Sequence, residues 1–156
     1  MIRRATEQDA ATLGRLLATD FGEVRDHQVR AALKAPRTIM LVDDAIPAMC
    51  RIQHYTLEQR YGPVPPGPAT QIAELLPQTE GLFTDGTMPR LLMKTLVAFG
   101  AAYPEVLDDP CWGQLRNAQD ALKYRPLFAG SRVQGRIIWI LRLRQAVDVA
   151  RLAGGS

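Results

Sequence analysis

Apolar and polar residues alternate along this chain in two different periods, and their order predicts a series of strands and helices. Ile2–Ala5 reads as a short strand, and Thr6 follows as a helix cap with Gln8 and Asp9 in the first turn. Ala10, Leu13, Leu16 and Leu17 recur at helical spacing and give one buried stripe, which Gly22 interrupts. Val29, Ala32 and Leu33 mark a second helix over Val24–Lys34, stopped by Pro36. Thr38–Val42 and Ile46–Tyr55 read as two strands joined by the turn Asp43-Asp44-Ala45, a hairpin. Pro47 in the second arm predicts an edge position or a late strand start.

The pattern then breaks. Gly62, Pro63, Pro65, Pro66, Gly67 and Pro68 fall within seven residues, so 57–70 is predicted as an extended arm or long loop. Its two readings are a stiff surface loop and a proline-rich recognition peptide. Gln71–Leu76 reads as a strand ending at Pro77. Phe83-Thr84-Asp85-Gly86-Thr87-Met88-Pro89-Arg90-Leu91-Leu92 is a glycine turn opening into an amphipathic helix. Leu91, Leu92, Thr95, Leu96 and Phe99 form its stripe, and Tyr103-Pro104 ends it. Pro89 falls in the first turn, where its missing N–H costs the helix nothing. Pro110–Arg116 reads as a strand, and Asn117 caps a short helix through Tyr124 that Pro126 breaks. Val133–Leu143 reads as the strongest strand, covered on both faces. Ala146–Leu152 reads as a terminal helix, part of a C-terminal helix and tail at 144–156.

With 156 residues, 47% of them hydrophobic and 22% charged, the chain reads as one domain, 1–156, with a real core and no internal repeat. No apolar run approaches the roughly 18 residues a membrane span needs, and Met-Ile-Arg-Arg leads into a polar segment rather than a signal peptide. Both point to synthesis in the cytoplasm and to no membrane role. The net charge of +3 and pI near 9.1 are mildly basic and do not make a nucleic-acid signature. Arg132, Arg136, Arg142 and Arg144 form one local basic group. It reads as a solvated strand face; the alternative, a surface for nucleic acid or an acidic partner, lacks interleaved aromatics. Cys50 and Cys111 have no nearby histidine partners, so no metal site is expected and both read as reduced, buried thiols.

Candidate chemistry is concentrated around the glycine turn. Backbone N–H groups at a helix start are unpaired and favour anions. This loop has one glycine and no basic residue before it, and Asp85 adds a negative charge. Glu74, on the preceding strand, is a carboxylate placed like a general base, with a raised pKa if buried; it reads equally as an outward strand residue. His54 and His27 are candidates by residue type alone and otherwise read as exposed.

Over roughly Met1–Leu143 the order of elements, with three local matches, resembles the GCN5-related N-acetyltransferase (GNAT) family. Ile2-Arg3-Arg4-Ala5-Thr6, Asp9-Ala10, Leu13 and Leu16-Leu17 look like its opening strand and helix. Its loop pattern, Gln/Arg-x-x-Gly-x-Gly/Ala, falls on Phe83–Met88 and matches only at Gly86; in the family this loop binds the pyrophosphate of acetyl-CoA. Asn-x-x-Ala-x-x-x-Tyr falls on Asn117 and Tyr124, with Asp120 in place of alanine. The resemblance implies an α/β fold: one mixed, mostly antiparallel sheet with helices on both faces. It implies Gly86, Thr87, Met88 and Asn117 as cofactor contacts, and Tyr124 as the acid for the departing CoA thiolate. With Phe83, Asp85 and Met88 departing from the pattern, the expected function is a non-catalytic structural or assembly module with protein partners. One example is a virion or tail component of a bacteriophage. The alternative is an active acetyl-CoA-dependent N-acetyltransferase acting on an amine.

Overall fold

The computed structural model describes residues 1–115, 129–133 and 136–153. The chain opens with β1 (Ile2–Arg4), a single 3-10 turn at Glu7–Asp9, then α1 (Ala10–Phe21) and α2 (Asp26–Lys34). Three strands follow: β2 (Thr38–Asp43), β3 (Ala48–Leu57) and β4 (Gly67–Leu76). After them come α3 (Glu80–Thr84), α4 (Thr87–Ala102), a 3-10 turn at Pro104–Val106 and β5 (Pro110–Leu115). β6 (Ala129–Val133), β7 (Arg136–Arg142) and α5 (Leu143–Leu152) complete the described elements. The strands form one sheet in the order β1-β2-β3-β4-β5-β7-β6, antiparallel except where β5 runs parallel to β4. The expected mixed, mostly antiparallel sheet is therefore present.

Alternation along the strands sends side chains to two separate cores. Met40, Val42, Met49 and Leu76 pack against Leu13, Leu16 and Leu17 of α1 and Val29 of α2. Ile39, Leu41, Cys50, Ile52, Ile72, Leu75, Cys111 and Leu141 meet α4 and α5 on the other face. Helices thus cover both faces, as expected.

β4 breaks its own alternation. Ile72 and Leu75 lie in the same core although they are three residues apart. The pairing explains this: Arg51 lies opposite Glu74 and its neighbour Ile52 opposite Ile72, so Ala73 is an extra residue on β4. Such a bulge bends its strand and ends regular pairing. The parallel ladder to β5 covers Thr70–Cys111, Gln71–Trp112 and Ile72–Gly113 and stops there. Beyond the bulge, the described pairing of β4 is to β3 alone, while β5 pairs onward with β7 through Leu115. The two parallel strands part at this point.

Several sequence expectations change. The proline-rich stretch is shorter than the 57–70 arm, because β3 runs to Leu57 and β4 starts at Gly67. Pro68 sits in β4 opposite Thr56, before the pairing with β5 begins at Thr70. The strand has one neighbour there, which is where proline is tolerated. The connection folds back rather than reaching out: Tyr61 and Val64 bridge each other, Val64 is buried, and Tyr61 stacks on Trp112 with ring centroids 5.0 Å apart. The strand expected at Val133–Leu143 corresponds to β7, which starts later, at Arg136, and ends at Arg142 because α5 begins at Leu143; β6, over Ala129–Val133, is a strand not expected from the sequence. Pro47 does delay β3, which starts at Ala48. The helix from Asn117 to Tyr124 lies outside the described residues.

Gly100 lets α4 and α5 approach closely. A Cβ there would lie 2.9 Å from Val147 Cγ1 and 3.3 Å from Leu107 Cδ2. Overpacking of this kind costs about 1–3 kcal/mol, against up to about 1 kcal/mol gained in helix propensity. Gly100→Ala is expected to lower stability by about 1 kcal/mol in urea unfolding. A double-mutant cycle with Val147→Ala should show a coupling that relieves the clash.

Candidate functional site

The junction between α3 and α4 follows β4 in the chain, at Asp85 and Gly86. Gly86 caps α4 with φ 89°, a left-handed conformation that glycine adopts without penalty. The first turn then leaves few donors. Asp85 Oδ1 accepts the Thr87 N–H at 2.8 Å. Pro89 has no N–H, and Arg90 already donates to the Gly86 carbonyl at 3.1 Å. Of the first three helical residues, only Met88 has a backbone donor without a hydrogen-bond partner among the described residues. Hydrogen bonds from Thr87 hold the Asp85 carboxyl below its usual range, and the Arg90 charge adds to this.

The departures noted in the sequence therefore act differently from one another. Phe83 is buried in the core beneath the loop, and the Met88 side chain is fully buried beside it. Met88 points inward, so its bulk does not screen the loop from a ligand. The obstruction is Asp85, with Pro89 removing a second donor. As this loop stands, its residues do not fit a pyrophosphate.

Glu74 is buried, at 7% exposure, so it is not an outward strand residue. The bulge at Ala73 sets it opposite Arg51 on the α1 face, and the guanidinium engages both its oxygens. Arg51 Nη2 donates to Oε1 at 2.6 Å, and Nε donates to Oε2. A base needs a lone pair aimed at its substrate; here a lone pair of each oxygen is aimed at Arg51. Nearby, Gln78 Nε2 donates to the Leu75 carbonyl at 2.5 Å, beyond the last β4–β5 pair. Its Oε1 is buried without a hydrogen-bond partner among the described residues.

Asn117 and Tyr124 lie outside the described residues. Of the others, Gly86, Thr87 and Met88 stand together at the start of α4, with Met88 in the α4 core, whereas Glu74 lies on the α1 face of the sheet, so the structure does not join it to the loop. His27 is exposed, as expected. His54 is not: it is 8% exposed and lies opposite Thr70 on β4. Its Nδ1 is 2.9 Å from Thr70 Oγ1 and its Nε2 is 3.4 Å from Asp109 Oδ2. Hydroxyl, imidazole and carboxylate stand in the order used for nucleophile activation. Thr70, however, is wholly buried and can reach no substrate. The three residues are far apart in sequence, so no spacing announced them.

Both cysteines are free and buried, as expected. Burial pushes the Cys50 thiol up to about 12 and raises Cys111 as well, so neither is a thiolate at neutral pH. Among the described residues no group of three or more His, Cys, Asp or Glu is placed to hold a metal. Arg144 of the basic group pairs with Asp108 at 2.8 Å.

No known family's sequence profile matches the chain, and no curated protein matches it in sequence. Among solved structures, Arabidopsis thaliana NAA60 in complex with a bisubstrate analogue aligns with a TM-score of 0.53 at 10% identity. The alignment covers 90% of this chain and 97% of that one. At this identity the likeness establishes architecture: the chain has a GNAT-like, acetyltransferase-like fold.

Two substitutions test this local geometry by chemical unfolding. Gly86→Ala meets nothing within 4 Å of the new Cβ, so its expected cost, about 1–2 kcal/mol, is the left-handed backbone alone. Glu74→Gln strips Arg51 of its counter-charge and is expected to cost about 3 kcal/mol, the low end for a broken buried pair. Arg51 retains a partly wetted edge, with 18% of its side chain exposed. Replacing both partners, Arg51→Met with Glu74→Leu, should recover most of the loss.

Proposed function

We propose that this chain is a non-catalytic GNAT-fold module that works through protein contacts in a larger assembly and does not use acetyl-CoA. The observation that carries the reading is the Asp85 carboxylate on the Thr87 amide. The chain's own anion holds a donor that a pyrophosphate would need, and Pro89 withholds another. An anion at a helix start gains up to about 2 kcal/mol, and a like charge at contact distance costs about 1 kcal/mol even in water. Together these come to roughly 3 kcal/mol, or about a hundred-fold in affinity.

Two further contacts support the reading. Arg51 occupies Glu74, the carboxylate expected to act as base. Gln78 occupies the Leu75 carbonyl beside the parted strands. Protein partners then become the functional ligands, and a bacteriophage virion or tail component is one assembly of this kind. The folded 58–66 connection offers a packed hairpin end, with Tyr61 over Trp112, rather than a free arm.

The end of the parallel β4–β5 pairing at Ile72–Gly113 favours the second reading, an acetyl-CoA-dependent N-acetyltransferase acting on an amine, because strand edges that stop pairing leave backbone groups free for a ligand. Calorimetric titration with acetyl-CoA separates the two. Folded wild-type protein is expected to give no binding heat up to about 1 mM ligand, where even a weak site of about −4 kcal/mol would register. One-to-one binding in the micromolar range would overturn the non-catalytic reading. Glu74→Gln and Tyr124→Phe would then be the first variants assayed against amines.

A further inference from the structure

The short parallel ladder is the seam between two halves of the sheet, β1–β4 and β5–β7. His54 lies across it. Its backbone N–H donates to the Arg37 carbonyl, just ahead of β2, at 2.9 Å. Its ring meets Thr70, the first residue of β4 to pair with β5, and Asp109, the residue before β5. Asp109 favours a hydrogen on Nε2, which leaves Nδ1 to accept the Thr70 hydroxyl proton. Protonation puts a hydrogen on Nδ1 as well. Thr70 must then turn its hydroxyl round, and the displaced hydrogen needs an acceptor in a fully buried place.

We propose that His54 is a proton-operated latch on this seam: neutral, it fastens β3 and β4 to the entry of β5; protonated, it loosens the β5–β7 half of the sheet. The charged groups facing the ring are Asp109 and Glu105, which favour the charged form, and Arg37, which opposes it. Burial is the largest influence and holds the imidazole below its ordinary 6.5. The sign follows. Above 6.5 folded and unfolded chains are both neutral here, and the contribution to stability is complete. As pH falls through that value the unfolded chain takes up a proton first, and stability declines toward the lower folded value.

The test combines NMR titration of the His54 imidazole with hydrogen exchange, corrected for intrinsic rates, on either side of its midpoint. Amides of Cys111–Gly113 are expected to lose protection several-fold as His54 protonates, while β2 and β3 amides hold theirs. His54→Asn keeps a polar partner for Thr70 and should abolish the pH response. Asp109→Asn should move the midpoint down, and Arg37→Asn should move it up. Asparagine suits position 37 because Arg37 has φ 50°. Unchanged β5 protection while His54 titrates would overturn the latch. So would midpoints that move in the same direction in the two charge variants.

Discussion

β4 must serve two cores and two neighbouring strands, and the extra residue at Ala73 is what allows it. Side chains on a strand alternate strictly, so a one-residue slip sends each to the opposite face. Without the bulge, Glu74 would follow Ile72 into the α4 core as an unpaired charge. Ala73 would then stand opposite Arg51, and Leu75 would turn to the α1 face opposite Met49. With it, Leu75 joins Ile72 in the α4 core and Glu74 meets Arg51 on the other face. The hydrophobic pattern therefore requires the bulge. The bend it introduces coincides with the parting of β4 from β5. The end of the β4–β5 pairing and the Arg51–Glu74 ion pair share one cause.

The entry to α4 is constrained just as tightly. Thr87, Met88, Leu91 and Leu92 are all buried, so the helix enters the core within its first turn. A helix start of that kind needs its donors satisfied at close quarters. Asp85, exposed and one residue before the cap, meets that need from within the chain. A phosphate-binding loop leaves the same donors to its ligand. The two solutions exclude each other at Thr87, and this chain has adopted the internal one.

Much of this was legible in the residues. The stripes of α1 and α4, the β2–β3 hairpin, the late start of β3 and the turn at Gly86 all follow from spacing and turn chemistry. What escaped has physical reasons. The bulge is a tertiary compromise, visible in hindsight as Ile72 and Leu75 three apart but ambiguous without the pairing. β6 lacks the apolar alternation that marks a half-buried strand, so no strand was predicted over 129–132. Composition placed 67–70 outside a strand because proline is excluded from central strands. The ladder to β5, however, starts two residues later than Pro68 and leaves room for it. At the candidate site, position was readable for Glu74 and Gly86, but partner was not. Arg51 lies 23 residues from Glu74 and reaches it only through β3–β4 pairing.

The buried polar groups share one property. Glu74 has Arg51, Thr87 has Asp85, His54 has Thr70 and Asp109, and Thr95 donates to the Leu91 carbonyl. A site built for turnover keeps some donors and acceptors unmet until the substrate arrives, at a cost in stability. Among the described residues these four groups are met from within the chain, while Gln78 Oε1 and Trp112 Nε1 are buried without a hydrogen-bond partner. Internal satisfaction rigidifies a fold, which is what the proposed non-catalytic reading asks of it. The same sealing explains why the hydroxyl–imidazole–carboxylate series at Thr70 carries no nucleophilic chemistry. Its one remaining freedom is the proton on His54, and that proton lies on the seam where the sheet is held by only three residue pairs.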